Sequence, residues 1–200
     1  MGQISLQTLT ARLQVGGCLA SFPTDTVPAL AARPEDAPLI YSAKQRSPQK
    51  PLILMAAQIS EVWSWTAGGE AELMQWQRVA QRYWPGMVTL VLPAGDRVPE
   101  AMHPTDPETL GFRVPNCAVA REILSATGPL ATTSVNFSGQ PPLETLDAIN
   151  RQFPDVLTLS SDELSQRSIA YAGTGQPSTV VKWTGHGWSV LRQGAIAFEG

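Results

Sequence analysis

Lys44-Gln45-Arg46-Ser47-Pro48-Gln49-Lys50-Pro51-Leu52-Ile53-Leu54-Met55-Ala56-Ala57 is the stretch whose reading decides the fold. Its second half, from Pro51 onward, is a continuous apolar run of strand length, the pattern of a strand covered on both faces inside an α/β sheet. Its first half places three cations, Lys44, Arg46 and Lys50, within seven residues. Pro48 and Pro51 deny this loop a helical backbone and hold the residues before them extended, so the cations project from a stiffened turn. Arg46 suits a two-pronged grip on phosphate oxygens, while Lys44 and Lys50 act as compact point charges. A solvated basic surface loop accounts for the same residues.

Outward from this stretch, the chain alternates helix and strand signals. Glu35 to Ala43 precedes the loop as a helix. Upstream of it, Ile4, Leu6, Leu9 and Leu13 form a first helix, with Ser5 or Thr8 as cap and Gly16-Gly17 as its end. Cys18 to Phe22 reads as a buried strand that delivers Thr24-Asp25-Thr26 at its carboxyl end, where open α/β sheets bind ligands. Those side chains suit a nucleotide, a metal or a small polar substrate, and equally suit turn formation and capping.

Downstream, Ile59 to Trp65 and Glu70 to Tyr83 read as helices, and Met87 to Leu92 as a strand. Residues 93–109, rich in proline, form an irregular excursion. Leu110 to Val114 is a strand carrying Arg113, which needs an anion if it points inward. Asn116 caps a helix over Cys117 to Thr127. Leu130 to Thr133 is a strand opening into Ser134-Val135-Asn136-Phe137-Ser138-Gly139, whose hydroxyl and amide groups suit neutral hydrogen bonding to a ligand or a capped turn. Leu143 to Phe153 reads as a helix, Val156 to Leu159 as a strand and residues 160–177 as loop. Thr179 to Trp183 and Trp188 to Arg192 flank Thr184-Gly185-His186-Gly187 as a hairpin, which makes the sheet mixed and sets Ser178 beside Arg192.

The 200 residues, 43% of them hydrophobic, suit one domain with one core. A net charge of -3 argues against a globally basic nucleic-acid binder but leaves a local basic concavity open. Cys18 and Cys117 are too far apart for a metal knuckle and read as buried small hydrophobes. The amino terminus lacks a basic segment followed by an apolar one, and no run of ~18 apolar residues occurs, so a cytoplasmic protein without a membrane partner is expected.

Six segments, in this order, resemble the threonylcarbamoyl-AMP synthase family, whose single-domain forms are called YrdC or TsaC. They are Phe22 to Val27, Lys44 to Leu52, Trp84-Pro85-Gly86 with Val88-Thr89, Phe112 to Pro115, Thr133 to Gly139, and Ser178 to Val181 with Leu191 to Gly194. The resemblance implies a single YrdC-like domain over residues 1–200: a twisted mixed α/β sheet flanked by helices around a positively charged concave site. The carboxyl-terminal domain of the longer Sua5 form is expected to be absent. The implied activity condenses L-threonine, bicarbonate and ATP into threonylcarbamoyl-AMP and pyrophosphate. That product serves the threonylcarbamoyl modification of adenosine 37 in tRNA through downstream transferase machinery.

By the same resemblance, Lys44, Arg46 and Arg192 carry catalysis, and these three with Lys50, Ser134 and Asn136 hold the nucleotide. Thr24, Arg113, Thr133 and Ser178 hold threonine. Magnesium is expected on the ATP phosphates, with Asp25 the one candidate protein ligand. The chain departs from the family pattern at Pro28-Ala29, where Tyr-Gly is usual, at Val135, where alanine is common, and at Met55, where some relatives carry histidine. These departures keep two alternatives open: a non-catalytic module binding tRNA or double-stranded RNA, and a carbamoyl-adenylate enzyme for another amine.

Overall fold

A computed structural model describes residues 3–105, 107–168 and 170–199. The chain begins with a two-residue strand β1 (Gln3–Ile4) and helix α1 (Leu6–Val15), whose cap Ser5 accepts a hydrogen bond from the Thr8 N–H. Strands β2 (Ala20–Phe22) and β3 (Ala29–Ala32) follow, then a 3₁₀ turn and helix α2 (Ala37–Lys44). Next come β4 (Ile53–Met55), the short helix α3 (Ile59–Val62) with a 3₁₀ turn over Trp63–Trp65, and helix α4 (Glu70–Tyr83). Strands β5 (Val88–Pro93) and β6 (Thr109–Arg113) enclose the excursion, which holds a 3₁₀ turn at Glu100–Met102. Helix α5 (Ala118–Thr127), β7 (Leu130–Ser134), α6 (Leu146–Gln152), β8 (Leu157–Leu159), α7 (Ser161–Gln166), β9 (Thr179–Trp183) and β10 (Trp188–Arg192) complete the chain.

The described strands form one ten-stranded mixed sheet in the order β1-β8-β2-β3-β7-β4-β6-β5-β9-β10. Its register explains both of its faces, because alternate residues of a strand point to opposite sides. Ala131, Leu54, Phe112, Leu90 and Val181 are successive cross-strand partners from β7 to β9. All five are fully buried, and each large side chain among them contributes roughly 1.5–3 kcal/mol by leaving water. One residue away lies the opposite row, Thr132, Ile53, Gly111, Val91 and Lys182, which faces a cavity.

Helices supply the rest of the core. Leu9 and Leu13 of α1 and Val119, Ala120, Ile123 and Leu124 of α5 are buried at helical spacing, and the two helices pack together. In α4, Trp76 and Ala80 are buried, with the Trp76 ring edge-on to Trp183 at 6.4 Å.

Several expectations change. The run from Pro51 to Ala57 is not covered on both faces: Leu54 is buried in the core, whereas Ile53 and Met55 face the cavity. Ile4 belongs to β1 and not to the first helix. Strand β3 was not anticipated, because Ala-Leu-Ala-Ala carries no β-branched residue to mark it. Residues 160–177 contain α7, started by Ser160, whose hydroxyl accepts from the Glu163 N–H. The cap of α5 is Cys117 and not Asn116, without a side-chain bond. Both cysteines are half-buried rather than buried.

Candidate active site

The open face of the sheet holds a cavity of about 370 Å³, a size typical of small-molecule sites. Its floor is the row Thr132, Ile53, Gly111, Val91 and Lys182, extended two residues along by Met55, Arg113, Thr89 and Val180. Gly111 keeps the floor low, since a Cβ there would stand 2.4 Å from Cγ2 of Ile53 and 3.0 Å from Cγ2 of Thr89. Walls come from Thr26 and Val27, Arg46, Pro51 and Leu52, Pro177 and Ser178, and Leu191 and Arg192. The charged lining residues among those described are Arg46, Arg113, Lys182 and Arg192, and no Asp or Glu is among the lining residues.

Arg46 and Arg192 are held in a similar way. Arg46 donates from Nε to the Lys50 carbonyl at 2.9 Å and from Nη2 to the Pro51 carbonyl at 3.0 Å, which folds the proline-rich turn around its guanidinium. Arg192 donates from Nη2 to the Ser178 carbonyl at 2.8 Å and from Nε to the same oxygen at 3.3 Å. The hairpin thereby sets Arg192 against Ser178, as its turn chemistry implied. The Ser178 hydroxyl also shares a 2.8 Å hydrogen bond with Thr89. Neither arginine belongs to an ion pair among the described residues. A guanidinium has five N–H donors, so each keeps donors for a ligand.

Arg113 differs. Only 3% exposed, it donates to the Gly86 carbonyl (3.1 Å), to the Thr26 hydroxyl (2.7 Å) and to Asp25 Oδ1 (2.6 Å). Burial lowers its affinity for a proton, and the Asp25 carboxylate opposes that effect. The inward-pointing arginine therefore has its anion, and it comes from the protein. This corrects the expectation that Asp25 is a metal ligand: one oxygen is committed to Arg113, the other is buried without a partner, and the residue does not line the cavity. The described residues contain no group of three or more His, Cys, Asp or Glu able to hold a metal.

Lys44, Lys50, Asn136 and Thr24 are also placed differently from expectation, since none of them lines the cavity. Lys44 ends α2, and Gln45, at φ 51°, turns the chain sharply after it. The Lys44 side chain, 1% exposed, runs inward. Its ammonium donates to the Ser134 carbonyl, to the Asn136 carbonyl at 2.7 Å and to Asn136 Oδ1 at 3.1 Å. Those three acceptors match its three donors. Burial, with a smaller push from the Arg46 charge, lowers its pKa to about 7.

The Asn136 amide is fully used. Oδ1 also accepts from the Ser134 hydroxyl at 2.6 Å, and Nδ2 donates to the Phe137 and Gln140 carbonyls, each at 2.8 Å. Lys44 and Asn136 thus shape the turn that presents Thr133 and Ser134, and those two residues do line the cavity. Thr24 is buried and donates to the Val27 carbonyl at 2.7 Å, which leaves its neighbour Thr26 at the wall. Lys50 is solvent-exposed, its carbonyl rather than its ammonium serving the site.

The sequence offered Thr26 only within the Thr24-Asp25-Thr26 turn, and it assigned no site role to Thr89 or Lys182. The period of two along β5 and β9 offered a signal for the latter pair, but not which face would open.

The family model for Sua5/YciO/YrdC domains, described as "Telomere recombination", matches residues 12–194. A threonylcarbamoyl-AMP synthase from Chromohalobacter salexigens is 32% identical over 168 residues, covering 82% of this chain and 85% of its own. One from Stenotrophomonas maltophilia is 28% identical over 187 residues, covering 90% and 94%. Among solved structures, Sua5 from Pyrococcus abyssi complexed with L-threonine superposes with a TM-score of 0.82 at 25% identity, over 94% of this chain and 54% of that one. E. coli YciO superposes with a TM-score of 0.78 at 23% identity, over 94% and 88%, which speaks to the fold alone. With residues 12–194 matched by the family model and a relative 32% identical over most of both chains, this chain belongs to the Sua5/YciO/YrdC family.

Proposed function

We propose that this protein is a threonylcarbamoyl-AMP synthase, a nucleotidyltransferase that joins L-threonine, bicarbonate and ATP with release of pyrophosphate. The observation that carries the reading is the pair Arg46 and Arg192. Both guanidiniums are anchored on backbone carbonyls at one cavity, and no carboxylate neutralises them there. Fixed cations of this kind stabilise the charge that builds on the α-phosphate and the departing pyrophosphate without having to reorganise. The chain acts as one YrdC-like catalytic unit.

In this reading the threonine amine and bicarbonate give a carbamate and water. A carbamate oxygen attacks the α-phosphorus in line, and the bond to the β-phosphate oxygen breaks. No covalent enzyme intermediate is required, so the protein contributes proximity and exclusion of water. Thr26, Thr89 and Ser178 supply hydroxyls for threonine, with Arg113 at the same end, while Thr133 and Ser134, beyond the Thr132–Ile53 pair toward Arg46, support the nucleotide. Lys44 and Asn136 act as positioning residues. ATP arrives with its own magnesium, as substrate. The product serves tRNA modification through a downstream transferase, in the cytoplasm.

A second reading keeps the chemistry but changes the amine. It is favoured by the Asp25–Arg113 ion pair at 2.6 Å, which already satisfies the arginine expected to meet the threonine carboxylate. Ala29 and Met55, both on the cavity wall, stand where the family carries glycine and, in some members, histidine. Pyrophosphate release from ATP, with threonine and bicarbonate omitted in turn, separates the two. Release that requires both supports the first reading, and release that requires bicarbonate and a different amine supports the second. Release independent of any amine defeats both.

A further inference from the structure

Lys182 belongs to none of the motifs described above, yet it lines the cavity from β9. It stands in the floor row, paired with Val91, which pairs with Gly111, which pairs with Ile53. The neighbouring residues of β9, Val181 and Trp183, are buried on the opposite face, so the strand alternation commits Lys182 to the cavity side. Every other lining cation has a protein partner. Arg113 has Asp25, and Arg46 and Arg192 have backbone carbonyls. Among the described residues the Lys182 side chain has no ion pair, and its ammonium has no hydrogen-bond partner.

The cavity has two ends. Arg113, Thr89, Ser178 and Arg192 gather at one, where Met55 pairs with Arg113 and Val180 with Arg192. At the other, Arg46 is bonded to the carbonyl of Pro51, two residues before Ile53, and Lys182 stands level with Ile53 in the floor row. Three strand spacings separate β4 from β9, about 14 Å, with Gly111 and Val91 of the floor row between the two long cationic side chains.

We propose that Lys182 is a phosphate-binding residue that faces Arg46 across the Gly111–Val91 stretch of the floor and holds the leaving pyrophosphate. The inference rests on reading this cavity as the nucleotide site. In-line attack fixes the order of the groups: the carbamate lies at the Arg113 and Ser178 end, the α-phosphate comes next, and the β- and γ-phosphates point away toward Arg46 and Lys182. A lysine there matches a charge that grows as the bond to the α-phosphate breaks.

Calorimetric titration of inorganic pyrophosphate and of AMP into wild type, Lys182→Gln and Lys182→Arg tests this. In Lys182→Gln, pyrophosphate affinity falls at least ~10-fold while AMP affinity stays within ~2-fold, and Lys182→Arg keeps pyrophosphate within ~3-fold of wild type. In turnover, the KM for ATP rises in Lys182→Gln and the KM for threonine does not. Pyrophosphate affinity indifferent to Lys182→Gln, an equal loss for AMP, or a wild type that does not bind pyrophosphate overturns the proposal. A thermal melt checks the fold, which a half-exposed, unpartnered side chain should leave unchanged. Because the titrations need no turnover, a failure of the synthase reading appears separately, as release that ignores threonine.

Discussion

Lys44 and Arg113 lie inside the protein, whereas Arg46 and Arg192 stand at the edge of the cavity, and the two pairs use their charge in opposite ways. The interior cations have their partners supplied by the fold: three oxygens around the Lys44 ammonium, and a carboxylate, a hydroxyl and a carbonyl around Arg113. The edge cations are fixed by carbonyls on one side and keep N–H groups on the other. The same residue types therefore serve stability in one region and ligand binding in the other. Motif membership alone does not separate the two, since Lys44 and Arg46 are two residues apart in a single segment.

The strongest way to break this comparison is Arg113→Ala. It strands the Asp25 carboxylate, 6% exposed, and removing one partner of a buried pair typically costs about 3–5 kcal/mol. Urea denaturation should show that loss, and a change below ~1 kcal/mol would place Arg113 with the ligand-binding group. Lys44→Met comes next. It takes the buried donor away from the Ser134 and Asn136 carbonyls and leaves Asn136 Oδ1 with the Ser134 hydroxyl alone, at an expected cost of about 1–3 kcal/mol.

For the edge pair the expectation is reversed. Arg46→Ala and Arg192→Ala should each slow pyrophosphate release at least ~10-fold, about 1.4 kcal/mol of transition-state binding. Their unfolding free energies should stay within roughly 0.5 kcal/mol of wild type. Normal turnover in both would remove them from the site.

The smallest effect concerns pH. The folded-state pKa of Lys44 is lowered to about 7 from the ordinary 10.5. Between those values the unfolded chain binds more protons at this residue than the folded one, so stability rises with pH across that window. Conversely, the contribution is lost as pH falls through about 7. Denaturation of wild type and Lys44→Met at pH 6.5 and 9 isolates the term. The wild-type advantage should grow toward pH 9, and an advantage independent of pH would mean that the ammonium stays charged throughout.

Much of the architecture was legible in the sequence. Leu73, Trp76, Val79, Ala80 and Tyr83 mark α4 by their spacing, and Thr184-Gly185-His186-Gly187 marks the final hairpin, in which Gly185 adopts φ 90°. Short or atypical elements escaped. Gln3–Ile4 is too brief to show a period, and the hydroxyls that start α7 read as loop.

The site was legible as a set of residue types but not as a set of directions. The burial of Lys44 is decided by carbonyls 90 and 92 residues further along the chain, a contact no local pattern encodes. Arg113 was recognised as needing an anion, yet whether Asp25 or a substrate supplies it depends on how the 23–28 loop folds over the sheet.

One consequence lies in the floor itself. A cavity built only of loops reshapes as a whole when its backbone shifts, but here Ile53, Gly111, Val91 and Lys182 stand on four strands whose intervening residues are locked into the opposite face. Each floor position except Gly111, whose bare Cα makes room for Ile53 and Thr89, is thus a separate tile that can be exchanged without lifting its neighbours. Selectivity for a new amine or a new phosphate can arise by single replacements on a surface whose frame stays fixed.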